Sequence, residues 1–139
     1  MLRAGLTSSF DYRVPEDKTV AKLYPEAAMF QEMPAVFATG FMVGLLEWAC
    51  IEAIKEHIDW PAAQSVGTAI NVSHRAATPP GLLVRVTTEL LEIDGRRLLF
   101  KVSAHDGIDL ISEGTHERHL IDPIRFAERV ARKRAQAAR

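Results

Sequence analysis

The chain reads as an α+β fold in which one long helix covers a five-stranded antiparallel sheet, and three observations predict it. From Met33 to Ile51 the only Asp, Glu, Lys or Arg is Glu47, inside MPAVFATGFMVGLLEWACI. Gly40, Val43, Gly44, Glu47, Ile51 and Ile54 recur in it at three- and four-residue spacing, which is one helical face. The second half then alternates apolar and polar residues at period two in successive runs, with short turn signals between them. Sheets that alternate this cleanly have one covered and one wet face, and a nearly all-apolar helix is the cover. At 139 residues the chain is expected to be a single domain, 1–139.

The elements follow in order. Ser8–Val14 reads as a first strand with Phe10 and Tyr12 on one face, ended by Pro15. Residues 18–34 carry scattered apolar positions between Pro25 and Pro34 and read as short helical pieces forming a flap. Pro34–His57 is the long helix, with Glu47 on the face that should be covered. Gly40 and Gly44 each cost about 1 kcal/mol there relative to Ala, so a close approach by another backbone is their expected use. Thr68–Thr78 alternates Ile70, Val72, His74 and Ala76 against Asn71, Ser73 and Arg75. Pro79-Pro80-Gly81 turns the chain, and Leu82, Val84, Val86, Thr88 and Leu90 line the next strand. Asp94-Gly95 is a two-residue hairpin signal, followed by Leu98, Phe100, Val102 and Ala104. After a turn at Asp106-Gly107, a last strand runs from about Leu110 to Ile121. Asp122-Pro123 then starts a short C-terminal helix, and a basic tail completes 123–139. The helix is too apolar for one sheet alone, so a homodimer is expected.

Composition narrows the function classes. A net charge of −1 argues against a nucleic-acid partner. The single cysteine, Cys50, excludes an internal disulfide and fits a reducing compartment. The N-terminus shows no apolar signal region, and Val36–Ile51 is shorter than the about 20 residues of a membrane span. A cytoplasmic protein without a membrane partner is the expectation.

Glu47 is the most informative residue, because a carboxylate removed from water costs several kcal/mol unless it is paired or neutralised. A buried carboxylate held by a helix N-terminus or a tyrosine is the plain alternative to a functional one. Thr39 upstream and His74 within an apolar run add a hydroxyl and an imidazole, the group set of an acyl-transfer or hydrolytic site. Each also has a plain reading: a helix-start hydroxyl bonded to backbone, and a satisfied core histidine. Cys50 reads as a small buried hydrophobe. His105, His116 and His119 show no metal-ligand spacing, so no metal is expected. Arg129, Arg132, Lys133, Arg134 and Arg139 read as a solvated helix face, with coenzyme A phosphates as a possible contact for some of them.

FATGFMVGLLEWAC (37–50), GTAINVSHRAATPPGL (67–82), GRRLLFKVSAHDGID (95–109) and GTHERHLI (114–121) resemble the bacterial fluoroacetyl-CoA thioesterase family. The resemblance spans nearly the whole chain. It implies a hot-dog fold, a five-stranded antiparallel sheet wrapped around a central helix. It also implies an acyl-CoA substrate, with coenzyme A part of that substrate and no separate cofactor. The family's catalytic threonine, glutamate and histidine fall on Thr39, Glu47 and His74. Its glycine beside the acyl group falls on Gly67 and its site arginine on Arg118. Its hydrophobic lid is matched at Val20, Leu23 and Phe30. Met33 departs from the pattern, since the family carries there a phenylalanine gate tied to selection of the fluorinated acyl group. Three activities stay open on residue types: thioester hydrolysis, hydration of an enoyl-CoA, and acyl-CoA binding without turnover.

Overall fold

Five strands form one antiparallel sheet in the computed structural model, which describes residues 1–139. They are β1 (Thr7–Arg13), β2 (Gln64–Val72), β3 (Leu83–Asp94), β4 (Arg97–His105) and β5 (Leu110–Ile121), in the spatial order β1-β3-β4-β5-β2. Short turns make β3, β4 and β5 successive neighbours, while the long helix carries the chain from the β1 edge to the β2 edge. The inward positions follow the alternation of the sequence: Val84, Val86 and Leu90 on β3 and Leu98, Phe100, Val102 and Ala104 on β4 are all buried. The outer face is polar, and Arg85 grips Asp11 across β1 and β3 with two hydrogen bonds of 2.8 and 2.9 Å. Exposed pairs of this kind contribute about 0–1 kcal/mol, so the core holds the sheet together. The two-residue loop between β3 and β4 is Gly95-Arg96, one residue later than the Asp94-Gly95 signal, with Gly95 at φ 59°. Glycine supplies that positive φ without steric cost.

The long helix is shorter than expected. α1 (Val20–Leu23) and α2 (Ala28–Gln31) belong to the flap, and α3 runs Thr39–Ile54 with a 3₁₀ turn at Lys55–His57. Residues 36–38 stay extended because their backbone bonds go elsewhere: Val36 O accepts from Val20 N, Phe37 N donates to Thr78 O, and Ala38 N donates to Lys18 O. These bonds also pin the flap to the start of α3. Within the flap, Gln31 Nε2 donates to Ala21 O at 2.9 Å and so ties α2 to α1.

The face of α3 that meets the sheet carries Met42, Leu45, Leu46, Ala49, Cys50 and Ile54. The expected face, with Gly40, Val43, Gly44, Glu47 and Ile51, instead lies beside it, and the Glu47 side chain is 39% exposed. A helix that is apolar nearly all round has no polar side to reveal which stripe points inward. The glycines differ too. A Cβ on Gly40 would sit 3.0 Å from the Leu23 side chain, whereas one on Gly44 would meet nothing within 4 Å. Neither is approached by another backbone. On the β1 side, the Trp48 ring lies 4.7 Å from Phe10 and 5.9 Å from Tyr12, centroid to centroid.

Two further expectations are corrected. The strand expected at Thr68–Thr78 is β2, Gln64–Val72, so His74 and Ala76 lie past its end. Ser73 N and Arg75 N still donate to Glu113 O and Ile111 O, which keeps the departing chain beside β5. The short C-terminal helix and its basic tail are one helix, α4 (Pro123–Ala137), started by the Asp122 side chain accepting from Ile124 N. No residue of α4 is buried. No helix is long and apolar enough to cross a membrane.

Candidate active site

Thr39 is the first residue of α3, and its hydroxyl could have bonded to the helix backbone. It instead lies 2.7 Å from His74 Nδ1, in the segment that leaves β2. Burial pushes the His74 imidazole below its ordinary pKa, and the nearby Ala76 backbone offsets part of that fall. A neutral ring is the form that accepts a proton. His74 Nε2 is buried and has no hydrogen-bond partner within the chain. A hydroxyl on a neutral imidazole is the pairing a general base needs.

Glu47 is held by a second cluster. Arg118, on β5, is 3% exposed, and its Nη1 donates to Glu47 Oε1 at 3.1 Å. Its remaining donors are anchored as well: Nε to Ser65 Oγ at 2.8 Å, Nη2 to Ser65 O at 2.9 Å, and Nη1 also to His116 Nε2 at 3.0 Å. A guanidinium fixed at Nε, Nη1 and Nη2 has little freedom, so Glu47 meets a preorganised cation. His116 Nδ1 lies 2.8 Å from Ala69 O. The carbonyl can only accept and the guanidinium can only donate, so His116 is neutral with its proton on Nδ1. Burial first, and the Arg118 charge second among the causes that depress it, keep its pKa below the ordinary histidine value.

Gly67 lies against this cluster in edge strand β2, opposite Arg118. A Cβ at Gly67 would stand 2.5 Å from Glu47 Oε1 and 3.2 Å from His116 Cε1. The site therefore needs glycine for space, not for a turn.

The structure brings Thr39 together with His74, and Glu47 with Gly67 and Arg118. It does not join the two groups within one chain, because Thr39 and Glu47 are eight helical residues apart, about 12 Å of rise. Leu23 reaches over Gly40, next to Thr39, and Val20 and Phe30 are half-buried in the flap. Met33 is 50% exposed at the end of the flap. Arg118 is no surface ion-pair residue, and Glu47 is held by an arginine, not by a helix N-terminus or tyrosine. Cys50 is buried and its thiol is pushed up to about 12 by burial, so it is no nucleophile. His116 and Ser65 were not among the sequence candidates. Period-two reading of β5 could have found His116, which shares the inward face with Arg118.

Residues 14–123 match the family described as fluoroacetyl-CoA-specific thioesterase. Over 132 residues the chain is 54% identical to a fluoroacetyl-CoA thioesterase of Streptantibioticus cattleyicolor, covering 95% of this chain and 94% of that one. A solved structure of a fluoroacetyl-CoA thioesterase superposes with a TM-score of 0.93 at 53% identity, covering 96% and 98% of the two chains. A thioesterase superfamily member from Thermus thermophilus superposes with a TM-score of 0.81 at 25% identity, covering 97% and 96%. The sheet wrapped around α3 is thus the expected hot-dog fold.

Proposed function

The chain belongs to the fluoroacetyl-CoA-specific thioesterase family and is an acyl-CoA thioesterase, and we propose that it cleaves a small acyl-CoA with Thr39, Glu47 and His74. The observation that carries this reading is the Thr39 hydroxyl on His74 Nδ1 at 2.7 Å, where helix backbone was the alternative partner. Neutral His74 takes a proton from Thr39 or from a water, the thioester carbon is attacked, and coenzyme A leaves as thiolate. Glu47, aligned by Arg118, attacks or orients the attacking group. The Gly67 N–H is assigned to the thioester oxygen, a role that typically contributes about 3 to 4 kcal/mol. Val20, Leu23, Phe30 and Met33 close over the acyl group.

The partly exposed stripe of α3 with Val43, Glu47 and Ile51, and the exposed residues 67–71 of edge strand β2, support a homodimer formed along that side. We place the enzyme in the cytoplasm, a reading supported by the free, buried Cys50.

Release of free coenzyme A from fluoroacetyl-CoA and acetyl-CoA tests the reading. We expect Glu47→Gln and His74→Ala to lower kcat by about 10²- to 10⁴-fold on either substrate, as loss of an acid–base group does. Full hydrolysis by both variants would overturn the mechanism. Met is more flexible than the family's phenylalanine, so Met33→Phe is expected to raise the preference for the fluorinated substrate.

A further inference from the structure

Thr78 and Asp106 lie outside the two groups of the site, and both are buried, at 0% and 4% exposure. Thr78 is in the segment that follows His74, and Asp106 is in the turn between β4 and β5. Asp106 Oδ1 accepts from Ile108 N at 3.0 Å and from Asp109 N at 2.8 Å, which closes the turn. That oxygen alone serves the turn. The other, Oδ2, accepts from the Thr78 hydroxyl at 2.8 Å, 28 residues back along the chain. Burial raises the pKa of this carboxyl, but the Asp109 and Ile108 N–H groups and the Thr78 hydroxyl outweigh it and hold the group below the ordinary aspartate value. The carboxylate is therefore charged and a strong acceptor. The Thr78 backbone is used as well, since Phe37 N donates to Thr78 O at 2.8 Å.

These bonds end beside the reacting groups. Phe37 is two residues before Thr39, and α3 begins without a side-chain cap. Its start is located instead by the backbone bonds of Phe37 to Thr78 and of Ala38 to Lys18. On the other side, the chain that carries His74 is tied to β5 by Arg75 N on Ile111 O at 2.7 Å, and Thr78 ties the same segment down further along. One threonine thus joins the segment of His74, the start of α3 and the β4–β5 turn. We propose that Thr78 and Asp106 are positioning residues, which fix the His74 segment against the start of α3 and so set the 2.7 Å contact between the Thr39 hydroxyl and His74 Nδ1. The inference rests on the Thr39 and His74 reading above. A displacement of about 1 Å between a reacting group and its base costs up to about 10²-fold in rate.

Three variants test it. Thr78→Val keeps the shape of the side chain and removes the donor. Asp106→Ser cuts the same tie from the other end, because its shorter hydroxyl serves the turn N–H groups and falls short of Thr78. Thr78→Ser keeps the hydroxyl and leaves a methyl-sized gap. Coenzyme A release is measured well below the melting temperature of each. The expected result is a kcat lowered about ten- to hundredfold in Thr78→Val and Asp106→Ser with KM within about twofold, and a kcat near the wild type in Thr78→Ser despite a lower melting temperature. Wild-type kcat in Thr78→Val, or a kcat that follows melting temperature across the three variants, would overturn the proposal. If Thr78→Val does not fold, Asp106→Ser replaces it in each comparison. A nitrogen NMR spectrum of the histidine rings runs in parallel and needs no turnover. Loss of the Thr39 hydroxyl, marked by Thr39→Ala, shifts the His74 Nδ1 signal. The same shift in Thr78→Val, absent from Thr78→Ser, upholds the proposal, and an unshifted signal in folded Thr78→Val overturns it. If the wild type releases no coenzyme A from either substrate, the catalytic reading fails and the ring spectrum alone decides the positioning pair.

Discussion

His116 shows how much of the site is decided by one side chain that need not touch the substrate. It accepts from Arg118 and donates to Ala69, and through Arg118 it fixes the Glu47 carboxylate. His116→Ala removes the acceptor and frees the guanidinium, so kcat should fall about tenfold or more while KM changes little. Gln can donate and accept at the same two places, so His116→Gln should recover much of that loss. The histidines also link stability to pH. Folded His74 and His116 both resist protonation, so below pH 6.5 the unfolded chain binds more protons than the folded one. Stability should therefore fall as pH drops from 7.5 to 5.5, well above the range where Asp106 or Glu117 protonate. Thermal melts check this, and His116→Gln should flatten the slope. Activity should be lost only at lower pH than a free imidazole titrates, because burial holds the His74 ring neutral below its ordinary value.

At the scale of the element, two glycines separate function from folding. Gly67 is on edge strand β2, and an added methyl would collide with the Glu47 carboxylate, the end of a flexible side chain. Gly67→Ala should keep a melting temperature near the wild type and lose most of its kcat. Gly114 is on β5 at φ 153°, and an added methyl would overlap the Asn71 carbonyl of β2. Backbone cannot yield as a side chain does, so Gly114→Ala should cost about 2 to 4 kcal/mol and loosen the β2–β5 pairing. Denaturant melts of the two variants, read beside coenzyme A release, distinguish the two outcomes.

For the whole molecule, the decisive property is the uncovered side that runs from the α3 stripe to β2. Ile70 is 41% exposed on that edge, in a strand with one row of unpaired backbone groups. Charged residues on an edge oppose pairing between sheets. Ile70→Lys should shift the protein from dimer to monomer in sedimentation while leaving the monomer folded, because the 16-residue core lies away from that edge. A monomeric wild type would overturn the proposed homodimer.

The alternation of Val84, Val86 and Leu90 with Arg85 and Thr87, and of Leu98 to Ala104 with Lys101, was enough to read β3 and β4 and their inward faces. Period two allows only two faces, and one of them is polar. The cap at Asp122 and the isolation of Glu47 were legible for similar local reasons, and the resemblance in residues 37–50 and 67–82 pointed to Thr39, Gly67 and His74. The inward stripe of α3 was not legible, because a helix apolar on every side packs equally well on several stripes until a sheet is placed beneath it. Nor was the end of β2 before His74, since that depends on what β5 can pair with. By residue type alone Arg118 was any strand arginine, and only the resemblance in residues 114–121 marked it as part of the site. Only the folded sheet, which sets Ser65, His116 and Glu47 around it, removes it from water and makes it the group that holds the carboxylate.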